Sequence, residues 1–287
     1  MPSTWEEPPP YRDPGYGGGG GGAPAMGYPR LTAAVKRLLW INGGVFLAFW
    51  LLARVFGIGA FESIYHDVLA LAPGVWREWF PFVPIWQIGT YGFLHDLLSP
   101  FHILFNMLML YFFGTMLEEI IGARRFVVTY LAAILVGGVV QLGANLAMGS
   151  DVPTLGASGA VLAIVVATAV LRPNTTVLFL FIPVTLKVMA IVMVALDLFM
   201  VLGGTSGNTA TLVHLSGAAY GFIGARQRWI FGDPFEAWER KREQVHVERE
   251  QDDTARLDRL LQQIHDEGMN SLSKRDREFL RRVSSRK

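Results

Sequence analysis

Six apolar stretches separated by short polar loops dictate what this chain can become. They run near Leu38–Phe56, Phe101–Ile121, Phe126–Met148, Ala157–Leu171, Leu186–Leu202 and Thr211–Ile230. A helix that crosses the hydrocarbon of a bilayer needs about 20 apolar residues, and such segments leave no polar face to turn toward water. Only 17% of the 287 residues are charged, against about a quarter in soluble domains. More than half of those charges lie beyond Gln227, so the body is poorer in charge than the average implies. The expected class is an all-α polytopic membrane protein with a six-helix domain over residues 31–231. Residues 1–30 are rich in Pro and Gly, contain no signal-peptide apolar core, and are expected to be a disordered tail. Residues 232–287 are expected to form a small helical tail. The net charge of +1 gives no reason to expect a nucleic-acid partner, and without cysteine there is neither disulfide nor thiolate metal site.

Lysine and arginine set the orientation. Arg30, Lys36 and Arg37 precede the first span, Arg124 and Arg125 follow the second, Arg172 follows the fourth, and Arg226 and Arg228 end the sixth. The alternate loops carry little positive charge, and GGTSGNTA (203–210) carries none. Both termini are therefore expected on the cytoplasmic side of a cell (inner) membrane. The apolar TTVLFLFIPV before the fifth span is interrupted by Pro183, which leaves Lys187 near an interface. On this topology spans two, four and six all run inward from the outer face.

That parity brings polar residues to one depth. His102 opens span two, Ser158 opens span four, and His214 lies just inside span six. Asn106, four residues after His102, shares its helix face. Singly, each has an ordinary explanation: a lone serine in a membrane helix usually bonds a backbone carbonyl, and GASG could be a small-residue helix contact. Together they fit nucleophilic acyl transfer, in which a histidine takes the proton of a serine hydroxyl. Ser158 begins a helix, where free N–H groups face a developing oxyanion, and His102 and Asn106 add donors. No acid lies at that depth on span six, so a Ser–His dyad is expected rather than a triad. Other chemistries lack their residues: there is no HExxH, Asp197 stands alone where a paired-aspartate mechanism needs two carboxylates, and His95, His102 and His214 match no familiar zinc spacing.

From about Trp86 to Gly221 these residues resemble the rhomboid family of intramembrane serine proteases. WQIGTYGFLHDLLSPFHILFNMLMLYFFGTMLEE is similar to the family's first-loop and second-helix signature, GASGA to its nucleophile motif, and HLSGAAYG to its base motif. The resemblance implies a rhomboid-like bundle in which Ser158 attacks the peptide carbonyl and His214 acts as base and then acid. It makes Ser158 N–H, His102 and Asn106 the oxyanion donors, with Gly156 assisting. It also implies that Gly159, Gly217 and Gly221 let spans four and six approach closely, and that Glu118 is structural. Leu162 stands where some members carry an aromatic residue beside the imidazole. Gln87 replaces a frequent charge, which bears on the loop's lipid contacts. The expected substrates are single-span membrane proteins cut near the outer end of their helix, with span five as a lateral gate and loop 203–210 as a lid. No cofactor or metal is expected. The rival readings are a non-catalytic rhomboid-like escort, which absence of the serine or histidine would favour, and a solute transporter, which lacks its paired broken helices here.

Overall fold

The structure, a computed structural model, describes residues 30–179, 182–203, 211–232 and 235–284. The tail expected over residues 1–30 thus lies, except for Arg30, outside the described residues, as does loop 203–210 beyond Gly203. Six helices form the body: α1 (Ala33–Phe56), α2 (Pro100–Ile121), α3 (Ala123–Met148), α4 (Ser158–Leu171), α5 (Leu186–Leu202) and α6 (Thr211–Arg226). Among the described residues α1, α2 and α3 are long and apolar enough to cross a membrane, and α4 is a shorter apolar helix. The remaining two have 17 and 16 residues.

The apolar stretch before α5 is an antiparallel hairpin, not helix. β1 (Thr176–Phe179) pairs with β2 (Ile182–Thr185), with Pro183 opposite Leu178. Proline lacks the N–H needed to extend a helix, and a two-stranded ribbon tolerates it because each strand has a free edge. The body is therefore helical with one small β element.

α4 is the axis of the bundle. Its residues from Gly159 to Ala169 are all buried, as befits a helix apolar on every side. Against it lies α6, and small residues set the separation. A Cβ on Gly217 would overlap Gly159 O, and a Cβ on Gly221 would overlap Ala163 O. Lipid tails are as apolar as leucine, so close packing rather than water exclusion holds two such helices together.

The start of α1 is fastened from a distance. Its N-cap residue Thr32 makes no side-chain cap bond, yet the Glu118 carboxyl on α2 accepts from Ala34 N (3.0 Å), Val35 N (2.8 Å) and Thr32 Oγ1 (2.5 Å). Two of the helix's orphan amides are thereby satisfied by a residue far along the chain. Glu118 is the structural acid that the sequence comparison implied.

Between α1 and α2 a long loop folds on itself around Gln87. This side chain is fully buried; Oε1 accepts from Ala72 N and Trp76 Nε1, and Nε2 donates to Asp67 O. The expectation that Gln87 bears on lipid contact is corrected: a neutral amide sits here because both acceptor and donor are used inside the loop. Loop one is tied in turn to the segment before α4 by paired backbone bonds between Leu71 and Thr154 and by an Arg77–Asp151 ion pair.

After the body come two further helices, α7 (Glu236–Glu267) and α8 (Lys274–Ser284), packed as a hairpin. Gly268 at φ +82° ends α7, Leu260, Leu272 and Phe279 pack together, and Ser273 caps α8 by accepting from Asp276 N (3.2 Å).

Two stability outcomes follow from this packing. Replacing Glu118 by Ala strands two buried amides at about 1–3 kcal/mol each. Thermal unfolding in detergent should therefore give a lower midpoint for Glu118→Ala than for Glu118→Gln, which keeps an acceptor; a wild-type midpoint for both would mean α1 is capped by other groups. Gly221→Ala forces α4 and α6 apart and should destabilise by about 1–3 kcal/mol. Gly43→Ala, where a Cβ meets nothing within 4 Å, should not.

Candidate active site

Ser158 is the first helical residue of α4, so its own N–H belongs to the four amides without an intrahelical acceptor. The segment before it is held in an unusual conformation. Gly156 has φ +126°, a region that disfavours any residue with a Cβ, and its N–H donates to Tyr91 O (3.0 Å). Tyr91 is itself anchored, its hydroxyl donating to Ile134 O on α3 (2.7 Å). A Cβ on Gly156 would stand 3.0 Å from His102 Cε1 and 3.6 Å from Ser158 Oγ. The glycine therefore keeps open the space between the hydroxyl and the His102 imidazole.

His214 lies in the first turn of α6, and the close approach of α4 and α6 carries its Nε2 to 2.7 Å from Ser158 Oγ. On its other side, Nδ1 is 2.9 Å from Asp197 Oδ1 on α5. One tautomer satisfies both contacts: the proton sits on Nδ1 and points at the carboxylate, leaving Nε2 to accept from the serine. Ser158, His214 and Asp197 are all half-buried. The reading from sequence found no acid on span six and stopped there; the neighbouring helix supplies one.

These groups stand at a cavity of about 880 Å³ whose walls include Ser158, His214, His102, Gln141 and Asn145. Gln141 on α3 accepts from Val213 N (3.3 Å) and donates to Asn145 Oδ1 (2.9 Å), fixing the start of α6. Sequence reasoning missed both residues, although a Gln and an Asn four apart in a membrane span face one side and require partners. Asn106 is buried and donates to His102 O (2.9 Å); His102, not Asn106, lines the cavity. Behind His102 its ring meets His95 edge-on at 5.4 Å. The Tyr65 hydroxyl accepts from His95 N and donates to His95 O, which locks that backbone. Burial, and after it the nearby His102, hold the His95 imidazole down to about 4, so it stays neutral near pH 7. Leu162 is buried in the core four residues beyond the serine.

Chemically, the arrangement offers a hydroxyl against a base, an acid behind that base, and a donor-lined space before the hydroxyl. The rhomboid domain model matches residues 84–230, just over half of the chain. Arabidopsis thaliana RHOMBOID-like protein 12, mitochondrial, is 36% identical over 137 residues, which cover 42% of this chain and 40% of that protein. The rat presenilin-associated rhomboid-like protein, mitochondrial, is 33% identical over 127 residues, covering 43% of this chain and 33% of that one; the human protein of that name is 31% identical over the same length. The matched region spans well under half of these relatives. Family membership rests on the domain match, whose bounds take in the last part of loop one and all five helices that follow it in the body: this chain belongs to the rhomboid family.

Proposed function

We propose that this membrane protein is an intramembrane serine endopeptidase that hydrolyses peptide bonds in or near the transmembrane helices of other membrane proteins. The observation that supports it most is the 2.7 Å contact between Ser158 Oγ and His214 Nε2 at the wall of a cavity that His102, Gln141 and Asn145 also line. A serine hydroxyl ionises too weakly to attack an amide unaided, and an imidazole within hydrogen-bond reach removes that barrier.

The reaction proceeds in two halves. His214 takes the proton as Ser158 Oγ attacks the scissile carbonyl, and the oxyanion forms beside Ser158 N–H and the His102 imidazole, in the space that Gly156 leaves empty. Family resemblance, and not contact with the cavity, makes Asn106 a further donor through the amide hydrogen not engaged with His102 O. His214 then protonates the leaving amine and the C–N bond breaks. Water from the cavity, deprotonated by the same imidazole, attacks the acyl-enzyme and frees Ser158. Each oxyanion donor is worth on the order of 100-fold in rate.

Six spans with both termini cytoplasmic make this geometry useful. α4 has 14 residues, about 21 Å at 1.5 Å each, against an apolar thickness of about 30 Å. Its serine end thus lies below the outer headgroups, where the cavity admits water. A helical substrate must unwind to present its carbonyl, so Gly or Pro near the cleavage point favours cutting. The relatives' names place those proteins in mitochondria; in a mitochondrial membrane the same topology sets both termini on the matrix side instead.

α5 is the lateral gate in this reading. From Ile191 onward most of its residues are exposed, so little packing resists its displacement. A disulfide engineered between α5 and α2, in a chain with no native cysteine, should stop cleavage of single-span substrates and restore it on reduction; undiminished turnover in the oxidised form would remove the gate from the account.

Purified protein in liposomes with a single-span substrate tests the activity itself. Ser158→Ala and His214→Ala should each abolish cleavage, and His102→Ala should lower kcat by about 100-fold or more. Cleavage that persists in Ser158→Ala would refute the assignment.

A further inference from the structure

Asp197 is the one carboxylic acid in α5, and a charged residue within a membrane span is expensive. Something must offset that. The basic residues of α5 and α6 are Lys187 and Arg226, each in the turn farthest from the site: Lys187 is ten residues from Asp197, about 15 Å along the helix. The group that answers the carboxylate is the His214 imidazole, 2.9 Å from Oδ1 through the nitrogen that does not face Ser158.

The packing of α5 makes the same point independently. In its outer half, Met193, Val194, Asp197 and Val201 are half-buried while their neighbours are exposed. They fall at helical spacing and form the single stripe turned to the body. A polar side chain in the middle of a four-residue inward stripe, on a helix otherwise given over to lipid, is placed for a contact and not for solvent.

We propose that Asp197 is a positioning residue for the reaction, holding His214 in the Nδ1-protonated tautomer and stabilising the imidazolium formed when the Ser158 proton moves to Nε2. The inference rests on the protease reading above. No proton passes to the carboxylate: it accepts the Nδ1–H bond before, during and after the transfer, and the bond gains strength when the ring becomes positive. The base is then held from both sides, and the orienting side is carried by the helix proposed to move for substrate entry. Closure of α5 behind a substrate restores the contact that sets the base, so entry and catalysis are ordered in time.

The test is Asp197→Asn, which preserves shape and removes the charge, in the full chain in liposomes. Initial rates on a single-span substrate and the rate of Ser158 labelling by a small fluorophosphonate are measured together. The expected result is a kcat lower by on the order of 10²–10³-fold with KM changed little, and a parallel fall in labelling. The loss is set below the 10⁴-fold of a fully enclosed triad because the Asp197 side chain is 21% exposed. An acid that merely clasps α5 to α6 gives a different pattern: labelling at the wild-type rate, with membrane-substrate cleavage unchanged or faster because the gate is looser. Either form of that pattern overturns the proposal. Nitrogen-15 histidine spectra of the wild-type protein, assigned by loss of the signal in His214→Ala, add an arm independent of any variant's folding. They should show the resting proton on Nδ1, and a proton on Nε2 instead would overturn the proposal as well. Ser158→Ala in the same assay separates the two levels of failure. Cleavage that survives it sinks the protease reading and this proposal together, whereas its loss alongside a fully active Asp197→Asn sinks this proposal alone.

Discussion

The distance between α4 and α6 governs everything else in the molecule. Gly217 and Gly221 of α6 bring backbone against backbone at Gly159 and Ala163, and Gly159 also leaves room for the Val213 side chain of α6. At that separation the first turn of α6 places His214 Nε2 at 2.7 Å from the serine that opens α4. A methyl group at either glycine of α6 would overlap a carbonyl oxygen of α4, and the gap between imidazole and hydroxyl would widen with the helices. In lipid there is no water to drive the helices together, so close contact has to supply both the cohesion and the geometry.

Around that pair the remaining elements act as fixtures of graded stiffness. α1 is bound to α2 through Glu118, and loop one is knotted by Gln87 and tied to the segment before α4 through Leu71 and Thr154. These bonds keep Gly156 in its positive-φ conformation, and through it the space facing Ser158. α5 is different: few of its outer residues meet the body, and a polar link there joins Asp197 to His214. One rigid wall and one yielding wall suit a site that must exclude lipid yet admit a helix from the side. Gln141, Asn145 and His102 place polar groups in the cavity wall, and hydrolysis within a membrane requires a place where water is stable.

Much of the fold was legible because lipid punishes any departure from helix. The six apolar runs correspond to α1–α6 within a few residues, since a backbone without water must bond to itself. The hairpin of β1 and β2 was not legible as such: TTVLFLFIPV is apolar enough for either state, and Pro183 announces only that a helix stops. Gln87 was misjudged for a related reason. Whether a polar side chain faces lipid or folds inward depends on where Ala72, Trp76 and Asp67 come to rest, and their separation along the chain carries no such information.

The chain order and composition by themselves determined the membrane class and the succession of apolar helices, and they singled out Ser158, His214 and His102, because hydropathy and helix spacing are properties of a line. The helical character of the tail was legible too, since helix signals are local. Which helices stand side by side was decided only in three dimensions. Asp197 could have been set at the depth of His214 by counting back from the end of span five, but depth does not say which helix faces which. Neighbourhood in a bundle is fixed by side-chain volume across interfaces, a quantity shared between distant segments, and so the third member of the site emerged only when α5 was laid against α6.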